Sequence, residues 1–481
     1  MLLGLDLGTG SFKAVLMEIE GRILGEASRP YPVHSPHPGW AESDPQDWWT
    51  AVGAATQELV GTHAAEVHSI GLSGQMHGVV LSKADGTPLR NAILWADSRS
   101  GDKLSFYRML DPQMLERLAN PLTTGMTGPS LLWLRDLEMV YWQADWALQP
   151  KDWLRLRLTG QAAAEPSDAS ATLLYDLRAD TWFDELVGSL GLRREILAPL
   201  QPSAGVAGGL TLEAARHLGL KAGIPVATGA GDTAAAMLGS GLIRPGTVQL
   251  TVGSGAQIMA PSAELHIDPT LRTHLYRAAT PGRWYAMAAM QNAGLVLEWV
   301  RGVLGLSWDE AYREAFSVAA GSEGLSFLPY LTGERTPHLD PQARGSWAGL
   351  GLSHTRAHLM RSALEGVAFA IREGMEALES AGTMIPELRL AGGGTLDPRW
   401  RQLLADVLGK RLLAAETASA SARGAAFLGG IAAGIYLNAE DTLAFSGTPR
   451  LVAEPSSTVY EESYRRFCRL YAELKGWNTG R

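Results

Sequence analysis

The chain contains a single cysteine and no long uninterrupted apolar run, and each scarcity excludes a class of protein. Cys468 has no second cysteine to pair with, so an internal disulfide is excluded and a reducing compartment is expected. No segment approaches the run of about 20 apolar residues that spans a bilayer, and Asp6 interrupts the apolar start, which lacks a basic flank. We therefore predict a cytoplasmic protein with no signal peptide and no membrane segment.

Positive charge is also in short supply. The formal net charge is −9, and a protein that grips nucleic acid over a broad face needs clustered Lys and Arg. Nucleic acid is therefore not an expected partner, and only a local phosphate site is compatible with this charge. The 481 residues are too many for one ordinary core, which predicts two domains.

Several common catalytic signatures are missing from the sequence. It contains no GxxxxGK[ST] loop and no GxGxxG between a strand and a helix, which disfavours Walker-type ATPases and dinucleotide dehydrogenases. HExxH and GxSxG are absent too, which disfavours the simplest zinc proteases and serine hydrolases.

Two stretches that are present resemble each other. GLDLGTGSFKAVL reads as strand, glycine turn and strand, and VQLTVGSGAQIMA repeats it, so that residues 8–10 align with 253–255 and Asp6 aligns with Thr251. A second echo pairs PVATGAGDTAAAML with LRLAGGGTLDPRWRQLL. A repeat of half the chain predicts two related α/β domains that face each other across a ligand cleft, divided near Pro245 into 1–243 and 244–481.

Turns that combine glycines with Thr or Ser direct backbone N–H groups and a hydroxyl toward one point, where phosphate oxygens bind. Either turn alone is also compatible with a plain hairpin, but two of them favour a nucleotide. Asp6, two residues before the first turn, suits Mg²⁺, which takes one or two carboxylates and keeps several waters. The alternative for Asp6 is a strand carboxylate bonded to its own turn. Asp232, in GAGDTAAAMLGSG, opens a predicted helix, and an ordinary helix cap is the alternative there.

Six segments together resemble the FGGY family of carbohydrate kinases, in order and over nearly the whole chain. The segments are GLDLGTGSFK, GWAESDPQDWW, GLSGQMHG, GAGDTAA, FLPYLTGERTPHLDPQARGSW and AGGGTLDPRWRQLLADVLG. The resemblance implies an actin-like ATPase fold of the α/β class, with two ribonuclease H-like domains and ATP and sugar in the cleft between them. It also implies a homodimer.

The resemblance assigns roles residue by residue. Asp232 matches the general base and Asp6 the carboxylate associated with Mg²⁺. The positions implied to contact ATP are Thr9, Gly10 and Lys13 in the first hairpin, Ser254 and Gly255 in the second, and Gly294, Gly393, Gly394 and Asp397 around the nucleotide. The positive potential at the start of its helix is expected to keep Asp232 ionised.

The sugar is indicated by the pair Met76-His77. Glycerol kinases carry Arg-Glu here, whereas Met-His is the pattern of family members that act on D-xylulose, and the resemblance implies that His77 donates to a sugar oxygen. The alternative is a core methionine and a turn histidine. Trp40, Asp44 and Thr233 are further candidate sugar contacts. Many relatives have Asn at the position of Thr233 and again at Ala96, which leaves the ketose open.

The predicted reaction is transfer of the ATP γ-phosphoryl group to a ketopentose, with D-xylulose 5-phosphate as product. Within the family, the alternatives are kinases that act on ribulose, gluconate or a polyol. Outside catalysis, they are a sugar-sensing relative without activity and an actin-like assembly protein. A relative without activity is expected to have lost Asp6 or Asp232, and both are present.

Overall fold

The structure is a computed structural model that describes residues 1–414 and 417–478. Its internal contacts divide the chain into two compact units. The first comprises Met1–Ile243, Tyr276–Trp284 and Thr417–Ser446, and the second comprises Arg244–Leu275, Tyr285–Glu416 and Gly447–Arg481. The first unit thus ends its longest segment at residue 243, as in the predicted division, but two later segments also belong to it. The division into functional domains stays a prediction.

The strands up to residue 243 are β1 (Leu2–Leu7), β2 (Ser11–Met17), β3 (Ile23–Pro30), β4 (Glu42–Ser43), β5 (Ser69–Gly74), β6 (Val80–Ser82), β7 (Ala92–Ile93), β8 (Trp146–Leu148), β9 (Tyr175–Asp176), β10 (Thr181–Trp182), β11 (Val206–Gly209), β12 (Pro225–Ala227) and β13 (Ala230–Gly231). The later strands are β14 (Gln249–Val252), β15 (Ala256–Ser262), β16 (His274–Arg277), β17 (Trp284–Met290), β18 (Ser326–Leu328), β19 (Ser346–Ala348), β20 (Glu387–Ala391), β21 (Arg411–Ala414) and β22 (Arg450–Ala453).

The helices up to residue 243 are α1 (Pro45–Val60), α2 (Leu104–Arg108), α3 (Pro112–Leu118), α4 (Thr127–Leu137), α5 (Val140–Gln143), α6 (Pro150–Thr159), α7 (Pro166–Ala169), α8 (Asp184–Ser189), α9 (Leu212–Leu218) and α10 (Asp232–Gly239). The later helices are α11 (Gly294–Val303), α12 (Trp308–Ala315), α13 (Arg356–Ser380), α14 (Pro398–Leu408), α15 (Ala420–Ala432) and α16 (Glu461–Asn478). None of the helices within the described residues is both long enough and apolar enough to cross a membrane.

The main sheet of the first unit has the order β11-β12-β5-β1-β2-β3, with β13 also paired to β5. The predicted N-terminal hairpin is confirmed, because β1 and β2 are antiparallel neighbours. β5 runs parallel to β1, and β12 and β13 run parallel to β5. The carboxyl ends of these parallel strands therefore lie at one edge of the sheet, where β1, β5 and β13 hand over to turns.

The main sheet of the second unit has the order β16-β17-β15-β14-β20-β21-β22. The second predicted hairpin is confirmed by the antiparallel pairing of β14 and β15, and β20 is parallel to β14. By position, β20 corresponds to β5 of the first unit and β21 corresponds to β12. The sequence echo that pairs β12 with β20 is therefore wrong by one strand, because a short apolar strand and a glycine turn carry no information about strand order.

Close packing of α15 explains why residues 417–446 belong to the first unit. A Cβ atom added at Gly4 of β1 would lie 1.9 Å from the Ala422 carbonyl oxygen, and one at Gly71 of β5 would lie 1.6 Å from that of Ala425. A Cβ at Gly424 would lie 1.8 Å from the carbonyl oxygen of Ala235 in α10. Helix α15 therefore lies directly on β1, β5 and α10, and holds the helix that begins at Asp232.

Candidate active site

Asp6 lies at the end of β1, between two neighbouring strands. It is paired in register with Lys13 of β2 on one side and with Ser73 of β5 on the other. The Ser73 hydroxyl donates to Asp6 Oδ1 at 2.7 Å, and only 9% of Asp6 is exposed. Burial raises the pKa of Asp6, although Ser73 and Lys13 act in the opposite direction. A buried carboxylate of this kind is favourable only beside a cation or a proton.

The turn that joins β1 to β2 is held by hydrogen bonds from two aromatic residues outside the turn. Tyr31 donates its hydroxyl to the Gly8 carbonyl and its backbone N–H to the Gly10 carbonyl, the latter at 3.2 Å. The Trp95 indole N–H donates to the Thr9 hydroxyl at 2.9 Å. A Cβ at Gly10 would meet nothing within 4 Å, so space is open beside this turn. Lys13, on the following strand, is exposed.

Asp232 follows the short strand β13, which brings it beside Asp6. Ala230 is in register with Ser73, and Ser73 in turn is in register with Asp6. Gly231 is the N-cap residue and Asp232 the first residue of α10, so the Asp232 side chain does not cap the helix. Its Oδ1 accepts from Thr233, from the backbone N–H at 2.6 Å and from the hydroxyl at 3.1 Å. The simple capping alternative therefore does not describe this carboxylate.

The protonation of Asp232 differs from the sequence-based expectation. Burial, together with the negative charge of Asp6, raises the pKa of Asp232 to about 7, although both hydrogen bonds from Thr233 lower it. The expectation that the helix start keeps this group ionised is therefore not met near neutral pH, because desolvation and a nearby carboxylate raise the pKa. A carboxylate with a pKa near neutrality accepts protons well at working pH.

Met76 and His77 follow β5 on the same edge of the sheet. Met76 is 5% exposed, and a Cβ at Gly231 would lie 2.8 Å from Met76 Cγ, so the thioether packs beneath the turn that precedes Asp232. His77 has a positive φ of 71° and donates its Nδ1–H to the Ala171 carbonyl at 2.7 Å. A neutral His77 ring therefore has an unprotonated Nε2, and donation from Nε2 to a sugar would require the protonated ring.

Trp40 belongs to an aromatic and charged cluster of the first unit. The guanidinium of Arg99 lies 3.5 Å from the centre of the Trp40 ring. Arg99 also forms a bidentate ion pair with Asp97 at 2.9 and 2.7 Å, so these two residues hold the segment around Ala96. Asp44 caps α1 by accepting from Gln46 N–H at 2.9 Å.

In the second unit, the turn between β14 and β15 meets the start of α11. Gly294 N–H donates to the Gly253 carbonyl at 3.0 Å, and the Ser254 carbonyl accepts from Ala293 and Leu295 N–H at 3.1 and 3.0 Å. A Cβ at Gly294 would lie 2.4 Å from the Gly253 oxygen. The turn and the helix start therefore touch by backbone, which only glycine at 294 allows.

The glycines after β20 approach the same strand end. A Cβ at Gly394 would lie 2.9 Å from the Val252 oxygen, whereas one at Gly393 would meet nothing within 4 Å. Asp397 is the N-cap of α14: its Oδ1 accepts from Arg399 N–H at 2.8 Å, and the carboxylate pairs with the Arg399 guanidinium at 2.7 Å. The structure thus brings Ser254, Gly255, Gly294, Gly393 and Gly394 close together within the second unit.

The site residues that the sequence reasoning missed are mostly supports. Hydrogen bonds join Ser73 to Asp6, Tyr31 to Gly8 and Trp95 to Thr9. Of these three supports, Ser73 lies in a segment that resembles the family and Trp95 is next to Ala96, whereas no sequence signal marked Tyr31. The described residues contain no group of three or more His, Cys, Asp or Glu side chains that could hold a metal ion.

Comparison with known proteins follows the two halves of the chain. Residues 1–239 match the N-terminal domain, and residues 248–433 the C-terminal domain, of the "FGGY family of carbohydrate kinases". The chain is 36% identical to a xylulose kinase of Escherichia coli K12, over 98% of this chain and 99% of that protein. It is 31% identical to a glycerol kinase of Geobacter sp. strain M21, over 99% of each chain.

Among solved structures, a kinase from Brucella ovis, described as a xyloylose kinase, superposes with a TM-score of 0.92 and 35% identity over 99% of each chain. The predicted α/β fold with two sheet-bearing domains of the actin-like ATPase type is confirmed by this similarity and by the two sheets. Family kinases of this kind use ATP to phosphorylate sugars. The chain belongs to the FGGY family of carbohydrate kinases.

Proposed function

We propose that this kinase transfers the γ-phosphoryl group of ATP to D-xylulose and releases ADP and D-xylulose 5-phosphate. The observation that carries the proposal is the placement of Met76 and His77 at the end of β5, with Met76 packed against Gly231 directly before Asp232. The xylulose and xyloylose kinases among its relatives support the same sugar. A Met-His pair at these positions suits a neutral ketose, because, unlike Arg-Glu, it places no permanently charged side chain beside the sugar.

Asp232 is the proposed general base. Its Oδ takes the proton of the terminal sugar hydroxyl while that oxygen forms a bond to the γ-phosphorus, and the bond from phosphorus to the bridging oxygen of ADP breaks. A positioned base of this kind contributes about 10² to 10⁴ in rate. The raised pKa of Asp232 favours this role, because the proton acquired from the sugar is held well near neutral pH.

Asp6 is the proposed carboxylate for Mg²⁺. The fit is chemical: Asp6 is buried, its pKa is raised by that burial, and its charge raises the pKa of Asp232 as well, so a cation here relieves two unfavourable effects. Bound Mg²⁺ would neutralise charge on the phosphate oxygens. Ser73 keeps Asp6 Oδ1 oriented by its 2.7 Å hydrogen bond.

The remaining roles are proposed separately for each unit. In the first, Thr9, Gly10 and Lys13 contact phosphate, and Trp40 and Thr233 contact sugar. In the second, the proposed nucleotide contacts are Ser254, Gly255, Gly294, Gly393, Gly394 and the backbone of Asp397, whose carboxylate caps α14. Open space at Gly10 and Gly393 supports close approach of a ligand to backbone at these two turns. A homodimer, which light scattering would test, is also proposed.

ADP release with a panel of acceptors tests the proposed substrate. We expect kcat/KM to be highest for D-xylulose, ahead of D-ribulose, gluconate and glycerol, and phosphorus NMR should find the phosphate on O5. His77→Ala should lower kcat/KM for D-xylulose by at least about tenfold. His68→Ala, at an exposed histidine, is the matched control and should leave it within about twofold. A preference for another acceptor would contradict the proposal.

A further inference from the structure

The turn before Asp232 is anchored by a buried polar cluster that no step of the proposed reaction uses. The Thr228 carbonyl accepts from Arg155 at 2.7 Å, and Gly229 N–H donates to the Ser203 carbonyl at 2.9 Å. Gly231 N–H, one residue before the base, donates to the Ser167 hydroxyl at 3.0 Å. Gly231, the N-cap residue of α10, is therefore held by the Ser167 side chain as well as by the pairing of β13 with β5.

The Ser167 hydroxyl is fixed in direction by Glu165. It donates its proton to Glu165 Oε1 at 2.8 Å, so its lone pairs face Gly231 N–H. The same carboxylate accepts from the N–H groups of Ser167 and Asp168 at 2.8 and 2.9 Å and from the Ser203 hydroxyl at 2.7 Å. Glu165 is fully buried and thus has little freedom to rotate.

Lys151 supplies the charge that makes this arrangement possible. It is 0% exposed, and its Nζ lies 3.2 Å from Glu165, 3.1 Å from Asp168 and 2.5 Å from Asp152. Arg155 is a second buried cation, 2.8 Å from Asp152. Buried ion clusters seldom add stability beyond what well-packed apolar residues would give. The property of this cluster that matters here is that it fixes the positions of its groups.

We propose that Ser167, oriented by Glu165, is a positioning residue that sets the direction of the Asp232 carboxylate. The chain of contacts runs from Lys151 to Glu165, from Glu165 to Ser167, and from Ser167 to the backbone of Gly231. The inference rests on the proposed role of Asp232 as general base. Ser167 itself touches neither sugar nor nucleotide in this proposal, and its effect falls on the proton-accepting step.

Ser203 provides a matched control. Ser167 and Ser203 are both buried, and both donate a hydroxyl proton to the Glu165 carboxylate, at 2.8 and 2.7 Å. Only the Ser167 hydroxyl also accepts from Gly231, whereas Ser203 meets the turn through its backbone carbonyl, which Ser203→Ala retains. A purely structural role predicts equal effects of the two alanine variants.

The test measures the phosphoryl-transfer step by rapid quench, with kcat, KM and thermal unfolding, for Ser167→Ala and Ser203→Ala. We expect similar losses of thermal stability in both. Ser167→Ala should slow transfer at least about tenfold with both KM values within about twofold, because a misplaced base lowers the rate without weakening binding. Ser203→Ala should stay within about twofold in rate. Equal rates for the two variants would overturn the inference.

Ser167→Cys covers the case in which Ser167→Ala does not fold. A thiol is a weak acceptor, so transfer should still be slowed several-fold, and a wild-type rate would overturn the proposal. Asp232→Asn separates this inference from the proposed function. If Asp232→Asn keeps most activity, the base assignment fails; if Asp232→Asn is inactive and Ser167→Ala transfers normally, only the positioning role fails. Ser167→Ala in the Asp232→Asn background should have no further effect on transfer.

Discussion

The two units share a strand order but put different chemistry on matching positions. In the first, β1 and β5 pair Asp6 with Ser73; in the second, β14 and β20 pair Thr251 with Ala391. The first unit therefore carries a buried carboxylate where the second carries small uncharged groups, and the second unit's turns are lined by glycine. The comparison shows that one backbone frame can serve either acid-base chemistry or close backbone contact, depending on a few side chains.

Removing the charge of Asp232 should have the largest effect, because it abolishes the chemistry that distinguishes the first unit. We expect Asp232→Asn to lower kcat at least about 100-fold while the KM for ATP changes little. Asp184→Asn is the matched control, since Asp184 is also the first residue of a helix, α8, but is exposed. Steady-state kinetics on both variants is the measurement, and a half-active Asp232→Asn would contradict the assignment.

The sequence predicted both hairpins, because glycine turns between apolar strands are a local signal. The sheets also bring together residues to which the resemblance assigned roles: Asp6 with Asp232 in one unit, and Ser254 with Gly294 in the other.

Sequence reasoning failed where long-range contacts decide. The pairing of β12 with β20 was wrong because strand order is not encoded in a local pattern. The raised pKa of Asp232 depends on burial, which no motif reports, and on Asp6, which is far away in the chain. Ser167 and Glu165 escaped notice for the same reason, since their partners lie in distant segments.

Packing in the first unit depends on glycine, as the close backbone contacts of the second unit do. Gly424→Ala should lower the free energy of unfolding by about 1 to 3 kcal/mol, because the new methyl group collides with the Ala235 carbonyl in α10. Gly188→Ala is the control: Gly188 lies in α8 with nothing within 4 Å of the added Cβ, and the change should be neutral or stabilising by up to about 1 kcal/mol. Denaturant unfolding of both variants is the measurement. A Gly424→Ala variant as stable as wild type would contradict the close packing of α15 on α10.

The pH dependence of the reaction tests the proposed carboxylate chemistry of the first unit, since the glycine turns of the second unit do not titrate. Asp232 must be ionised to accept a proton, so with a pKa of about 7 its activity falls as pH falls. We expect kcat/KM for the sugar to fall from pH 8 to pH 6 by up to about tenfold, and by less where Mg²⁺ at Asp6 offsets the charge that helps to raise this pKa.

Ionisation of Asp232 has opposite effects on stability and on activity: as pH rises, activity increases and the stability of the fold decreases. Because the folded pKa of Asp232 is raised from 3.8, the group stabilises the fold when protonated, and this contribution is lost as pH rises through 7. The melting temperature of Asp232→Asn should therefore be higher than that of wild type at pH 8, and the difference between the two should be smaller at pH 6. Thermal scans across this range, without Mg²⁺ or ATP, are the measurement; a flat difference would contradict the shift.

The smallest effect is expected at Asp397, where the second unit does carry a carboxylate. Its oxygens are already used, because they cap α14 and pair with Arg399. Asn caps a helix about as well as Asp and the ion pair is partly exposed, so Asp397→Asn should change stability by less than about 1 kcal/mol, whereas Asp397→Ala should cost about 0.5 to 2 kcal/mol. If the carboxylate serves the helix rather than the nucleotide, the KM for ATP in Asp397→Asn stays within about threefold of wild type. A larger rise in that KM would show that the second unit, too, uses a charged side chain on its ligand, and the contrast between the units would narrow to the acid-base step alone.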